Sequence, residues 1–157
     1  MKPFTLERTQ ILPVSIDLAW DFFSDPCNLA RITPQSMDFR LTSPPQETTH
    51  AGQIITYTLR PLLGIAVAWT TEITHVSRPD FFVDEQRFGP YRFWHHQHRF
   101  RKVEGGVEMR DLVHYLLPHM QFTRLINRMI VSPRLKQIFE YRRQALQKIF
   151  PAPEQFS

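Results

Sequence analysis

One cysteine, Cys27, in a chain of 157 residues excludes an internal disulfide and a four-thiolate zinc site, and it fits a reducing compartment. Glycine is scarce, with five residues against thirteen prolines, so firm element ends are expected rather than flexible linkers. No apolar run approaches the ~20 residues that span a bilayer, and the N-terminus lacks a charged-then-apolar leader pattern. A cytoplasmic protein without integral membrane association is expected. Gly-x-Ser-x-Gly elbows, glycine-rich phosphate loops and His-Glu-x-x-His pairs are missing, so no cofactor is expected. The net charge of +4 is modest. Its excess lies largely between Arg124 and Lys148, where a solvated helix face is the simpler reading, and no nucleic-acid partner is expected. Nothing in the sequence assigns an oligomeric state.

Aromatic residues are plentiful: thirteen Phe, four Tyr and three Trp, enough for a bulky core or a lined apolar cavity. The length fits a single domain over residues 1–157, with an ordered core over about 4–150 and no internal repeat or domain boundary. Alternation predicts a strand over Phe4–Leu12 that stops at Pro13 and suits a sheet edge. Ser15 caps a helix over Ile16–Phe23, and a second short helical turn over Asn28–Ile32 ends near Pro34. Strands follow at Met37–Thr42 (closed by Pro44-Pro45), Gln53–Leu59, Ile65–Val76 and Phe81–Phe88, then on either side of a turn at Gly105-Gly106. From Phe122 the period becomes helical. Pro133 inside that run predicts a kink or restart with Ser132 as the new cap, and the chain should fray after Pro151. The fold class is α+β: a curved antiparallel sheet of six to seven strands wrapped around a long C-terminal helix, with two short helices after the first strand.

The stretch Gly89–Tyr115 carries the functional question. Read with a period of two, it places Trp94, His96, His98 and Phe100 on one face and Phe93, His95, Gln97 and Arg99 on the other. A hairpin across Gly89-Pro90-Tyr91 with Gln86 facing Trp94 sets Asp84 opposite His96 and Phe82 opposite His98. Two registers are allowed at the next hairpin. One sets His98 opposite Asp111; the other sets His98 opposite Val113 and His96 opposite Tyr115. Both keep the same inner face, since only an odd slip exchanges faces. Asp84, His96, His98 and Asp111 should therefore cluster on the concave side, beside Tyr57, Trp69, Trp94 and Tyr115.

Buried charges require partners, so these four residues read as carboxylate–imidazole pairs. Three uses compete: a satisfied polar network that fixes strand register, a set of donors and acceptors for a ligand's polar end, or general acid–base chemistry at His96 or His98 with Asp84 and Asp111. A metal site is disfavoured because Asp–His pairing occupies the ring nitrogens. His95 faces outward. His50, His75, His114 and His119 show no partner pattern, and Cys27 reads as an inert thiol. Trp20, Phe22 and Phe23 read as helix-to-sheet packing. Phe122, Ile126, Met129 and Ile130 read as core, with a share lining the cavity mouth.

Trp20-Asp21-Phe22-Phe23 with Asn28-Leu29, Ile32-Thr33-Pro34, Trp69 with Ile73, and Phe82-Val83-Asp84-Glu85-Gln86 make the order of elements recognisable. So do Gly89-Pro90-Tyr91, Trp94 with His96, His98 and Phe100, then Met109, Asp111, Val113, Tyr115 and Pro118, and finally Ile138-Phe139-Glu140-Tyr141-Arg142. The chain resembles the START-like superfamily, also called helix-grip or polyketide cyclase/dehydrase-like, and within it an uncharacterised bacterial ligand-binding group. The resemblance implies a deep cavity between sheet and terminal helix for an apolar or amphipathic small molecule. The residues expected at that ligand are Tyr57, Trp69, Phe82, Asp84, Gln86, Trp94, His96, His98, Asp111, Tyr115, Phe122 and Ile126. Carriers, sensors, cyclases and dehydratases share this fold, so an acid–base enzyme remains the alternative. An interaction module is the other alternative, with the basic terminal helix docking through Arg142 and Arg143.

Overall fold

The computed structural model describes residues 2–44, 48–61, 64–118 and 122–152. Seven strands form one antiparallel sheet: β1 (Phe4–Leu12), β2 (Arg40–Leu41), β3 (Ile54–Leu59), β4 (Val67–Ser77), β5 (Phe81–Phe88), β6 (Phe93–Val103) and β7 (Gly106–Leu116). Their spatial order is β1-β7-β6-β5-β4-β3-β2. Consecutive strands pair from β2 to β7, while β1 closes onto β7 and lies at an edge, as its stop at Pro13 led one to expect. Gly106 makes that closure possible. Its φ of 146° suits glycine, and a Cβ there would collide with the Leu12 carbonyl.

Helix α1 (Ile16–Ser24) begins where expected, with Ser15 Oγ accepting from the Leu18 amide. It buries Ile16, Ala19, Trp20, Phe22 and Phe23 on the sheet. A 3-10 turn over Pro26–Ile32 follows, capped by Asp25. Together they are the two short helices read from the sequence.

The expected strand over Met37–Thr42 is mostly absent. Gln35–Met37 forms a 3-10 turn, Asp38 adopts the left-handed conformation at φ 44°, and only Arg40–Leu41 pairs as a strand. Aspartate tolerates that backbone. Arg40 and Arg60 bind its carboxylate at 3.0 and 3.4 Å, which holds the turn in place. Strand β4 starts at Val67 rather than Ile65, which is exposed. Register shifts between Thr70 and Thr71 and between Ile73 and His75 interrupt the β4–β5 ladder. Such bulges bend a strand, and these lie where the sheet must curl around the helix.

The C-terminal helical run corrects another expectation. Phe122 is left-handed (φ 61°) and precedes α2 (Thr123–Ile126); a π-helical turn then covers Asn127–Val131 and leads into α3 (Ser132–Ile149). Ser132 is helical and caps nothing: its amide donates to Asn127 O, five residues back. The wider π turn is how a continuous run accommodates Pro133, which lacks an amide proton and would crowd the carbonyl of a regular turn. His119 and Pro45, and most of the stretch expected to fray after Pro151, lie outside the described residues. Two apolar clusters join helix to sheet. One is built around Trp20, Phe23, Phe82, Phe100 and Leu146, the other around Trp69, Trp94, Tyr115, Leu135 and Phe139.

Candidate functional site

The ladders set the site. Asp84 pairs with His96 and Phe82 with His98 across β5–β6, and His98 pairs with Asp111 across β6–β7. Of the two registers open at Gly105-Gly106, the first is adopted. The β5–β6 ladder ends at Glu85–His95, one step short of Gln86 and Trp94. Because every second residue shares a face, three strands deliver two carboxylates and two imidazoles to the concave side.

The four groups alternate around a closed circuit. His96 Nε2 stands 2.9 Å from Asp111 Oδ1 and its Nδ1 3.3 Å from Asp84 Oδ2. His98 Nε2 stands 2.8 Å from Asp84 Oδ2 and its Nδ1 3.1 Å from Asp111 Oδ1, the latter without hydrogen-bond alignment. The imidazole centroids are 3.8 Å apart, and the far side of His98 stacks on Phe82 at 4.3 Å. His96, His98 and Asp111 are all about 95% buried. Helix α3 adds a guanidinium: Arg142 Nη1 lies 3.7 Å from Asp111 Oδ1, and the group sits over the Phe139 ring at 4.9 Å.

Burial works against the charged forms of Asp84, Asp111 and His96, and the partners outweigh it. The carboxyl pKa values of Asp84 and Asp111 are both lowered despite burial. His96 and His98 do this for Asp84, while the two histidines and Arg142 do it for Asp111. For His96, burial favours the neutral ring, but Asp84 and Asp111 raise the pKa to about 8. Near neutrality the cationic His96 thus lies between the two carboxylates, with Arg142 beside Asp111. On the adjoining wall Tyr57 Oη and Thr71 Oγ1 are 3.1 Å apart, and burial keeps the phenol protonated.

A cavity of about 150 Å³ opens between sheet and α3. Seven of the expected ligand residues line it: Tyr57, Trp69, Phe82, Asp84, Trp94, His96 and His98. Five are placed elsewhere. Gln86 spans the β5–β6 turn, its Nε2 donating to Tyr91 O at 2.6 Å and its Oε1 accepting from Tyr91 N at 3.2 Å. Asp111 sits behind the imidazoles and reaches the cavity through them and through Arg142. Tyr115 donates to Asn127 Oδ1 at 2.9 Å, tying β7 to the π turn. Phe122 is 74% exposed because the left-handed backbone turns it away, and Ile126 packs against the second apolar cluster.

Other lining residues went unread. Phe22 and Phe23, assigned to packing alone, reach the cavity, as do Leu135, Ile138, Phe139 and Arg142. Arg142 was the most legible of these. The buried α3 residues Leu135, Phe139 and Leu146 define a stripe with steps of four and seven, and position 142 divides the longer step into three and four. A cation on an apolar stripe signals an inward partner. Arg142 is consequently unavailable as a docking residue, and Arg143 is held by Glu140 at 2.6 Å.

His95 faces the outer side and pairs there with Glu85 at 2.9 Å. Cys27 is exposed; partial desolvation and the Asp25 carboxylate raise its thiol pKa and disfavour a reactive thiolate. Among the described residues, Asp84, His96 and His98 offer three ligand atoms within 4.8 Å of one another, a two-histidine, one-carboxylate set. An ion there would have to replace the His–Asp contacts described above.

No protein-family model matches the sequence, and no curated protein matches it. Solved structures match it in fold. Protein CV1439 from Chromobacterium violaceum superimposes with a TM-score of 0.73 at 11% identity, over 97% of this chain and 100% of that one. The Zhui aromatase/cyclase from Streptomyces sp. R1128 gives 0.73 at 13% identity, over 94% and 93%. Ginseng major latex-like protein 151 from Panax ginseng gives 0.70 at 11%, over 96% and 99%. The fold they share with this chain is the helix grip. Among the described residues no helix is long and apolar enough to cross a membrane.

Proposed function

We propose that this helix-grip chain, acting as one domain, binds an apolar or amphipathic small molecule in the cavity between its curved sheet and α3. One observation carries the reading: a buried His–Asp circuit is set into the wall of an aromatic-lined cavity. Ligand sites combine apolar walls with a few placed polar groups in this way. Tyr57, Trp69, Phe82 and Trp94 form the apolar wall, and Asp84, His96 and His98 present the polar anchor with Asp111 behind them. Gln86, Tyr115 and Ile126 act from outside by holding turn, strand and helix in place. Gently purified protein is expected to carry a bound small molecule in native mass spectrometry, or to take up an apolar fluorescent probe one-to-one. A crystal structure with the cavity filled by side chains would remove this reading.

Acid–base catalysis of the cyclase or dehydratase type is the second reading. Its support is that His96 and His98 face the cavity while carboxylates orient their rings, as a general acid or base requires. His96→Gln is then expected to lower turnover at least about a hundredfold, the lower end of the usual range for such a group, and to shift the pH profile. Unchanged turnover of an established substrate would end it.

A further inference from the structure

The cavity wall holds buried donors that no acceptor meets. Trp69 Nε1, Arg142 Nε and Arg142 Nη1 are buried and have no hydrogen-bond partner among the described residues. Trp69 and Arg142 both line the cavity, and Trp69 is 6% exposed. Indole and guanidinium nitrogens only donate. Acceptor atoms in the same wall serve other donors: Asp84 Oδ2 serves His98 at 2.8 Å, Thr71 Oγ1 pairs with Tyr57 at 3.1 Å, and Asp111 Oδ1 serves His96 at 2.9 Å. Asp111 supplies Arg142 with a charge contact at 3.7 Å and no hydrogen bond. A guanidinium has five donors, enough to serve Asp111 and a second carboxylate together. Native proteins leave few buried donors unmet, and those that remain call for an explanation.

Size narrows the ligand further. A cavity of about 150 Å³ equals the ~150 Å³ engineered apolar cavity that takes up benzene, and falls below the ~300–1,000 Å³ of drug-sized pockets. The rings around it include Trp69 and Trp94, edge to face at 5.4 Å, and Phe139 beneath the guanidinium.

Building on the ligand-binding reading, we propose that the ligand is a small aromatic carboxylic acid, about one ring in size. Its ring lies against Trp69, Trp94 and Phe139, and its carboxylate accepts from Arg142. Trp69 Nε1 is the second donor, available to a carboxylate oxygen or a ring substituent. The Arg142–Asp111 contact holds the guanidinium in the cavity wall before the ligand arrives.

Calorimetric titration with benzoate and with its uncharged isostere benzamide at pH 7 tests this. Benzoate is expected to bind at least tenfold tighter. Arg142→Gln should abolish that preference, and Trp69→Phe should weaken benzoate severalfold. Benzamide or toluene binding as well as benzoate would overturn the acid proposal and leave the cavity reading standing. No binding by any of the three would overturn both. Should Arg142→Gln fail to fold, the benzoate-to-benzamide ratio of the unmodified chain still decides.

Discussion

Asp111→Ala is expected to destabilise the fold by about 3–5 kcal/mol, the usual cost of removing one partner from a buried charge pair. Asp111 accepts from His96 at 2.9 Å, faces His98 at 3.1 Å and is the carboxylate beside Arg142 at 3.7 Å. Without it the cationic His96 keeps only Asp84, and Arg142 is left buried beside no anion. Asp111→Asn keeps an oxygen for one donor but no charge, so its loss should be intermediate. Urea denaturation of the three proteins measures this directly. A loss under about 1 kcal/mol for the alanine variant, the scale of an exposed ion pair, would mean that the circuit is far better solvated than its burial implies.

Stability is also expected to fall by about 2 kcal/mol as the pH rises from 6 to 9. The His96 pKa, about 8 in the fold, lies above its ordinary value of 6.5. A raised cationic pKa contributes stability that is complete below the unfolded value and is lost as pH climbs through the folded one. At about 1.4 kcal/mol per unit, the difference gives the stated loss. The lowered pKa values of Asp84 and Asp111 act at the other end. Their stabilisation is present above the ordinary carboxyl range and disappears as pH falls through their folded values. Denaturation midpoints should therefore plateau between about pH 4 and pH 6.5 and decline on both sides. His96→Gln should flatten the alkaline decline and, because His96 also lowers the Asp84 and Asp111 pKa values, shrink the acid one. An alkaline slope equal to that of the unmodified chain would show that His96 is not its source.

What the sequence made legible was what short periods govern. Alternation in β5, β6 and β7 placed Asp84, His96, His98 and Asp111 on one face, because a strand's side-chain period is two whatever the sheet's curvature. The Ser15 cap and the edge position of β1 were readable from one serine and one proline. What was missed depended on distant partners or backbone distortion. Asp38 turns left-handed where Arg40 and Arg60 hold its carboxylate, which shortened a strand that alternation alone would extend. Pro133 is absorbed by a π turn, a response that proline content does not announce. Arg142 was visible on the stripe, but its cavity role needs the tertiary contact with Asp111.

The His–Asp circuit also bears on how the chain finds its sheet. A two-residue slip of β6 against β7 leaves every apolar residue on its proper face, so hydrophobic patterning cannot tell the slipped sheet from the correct one. In the slipped pairing Asp111 would lie opposite Phe100, and His98 opposite Val113. A carboxylate stranded against an aromatic ring loses on the order of several kcal/mol per ion. The pairing observed, His98 with Asp111 and Phe100 with Met109, avoids that loss. The charges at the cavity therefore proofread strand assembly, and a variant that replaces all four with apolar residues should gain misregistered, aggregation-prone folding products even where its native state is no less stable.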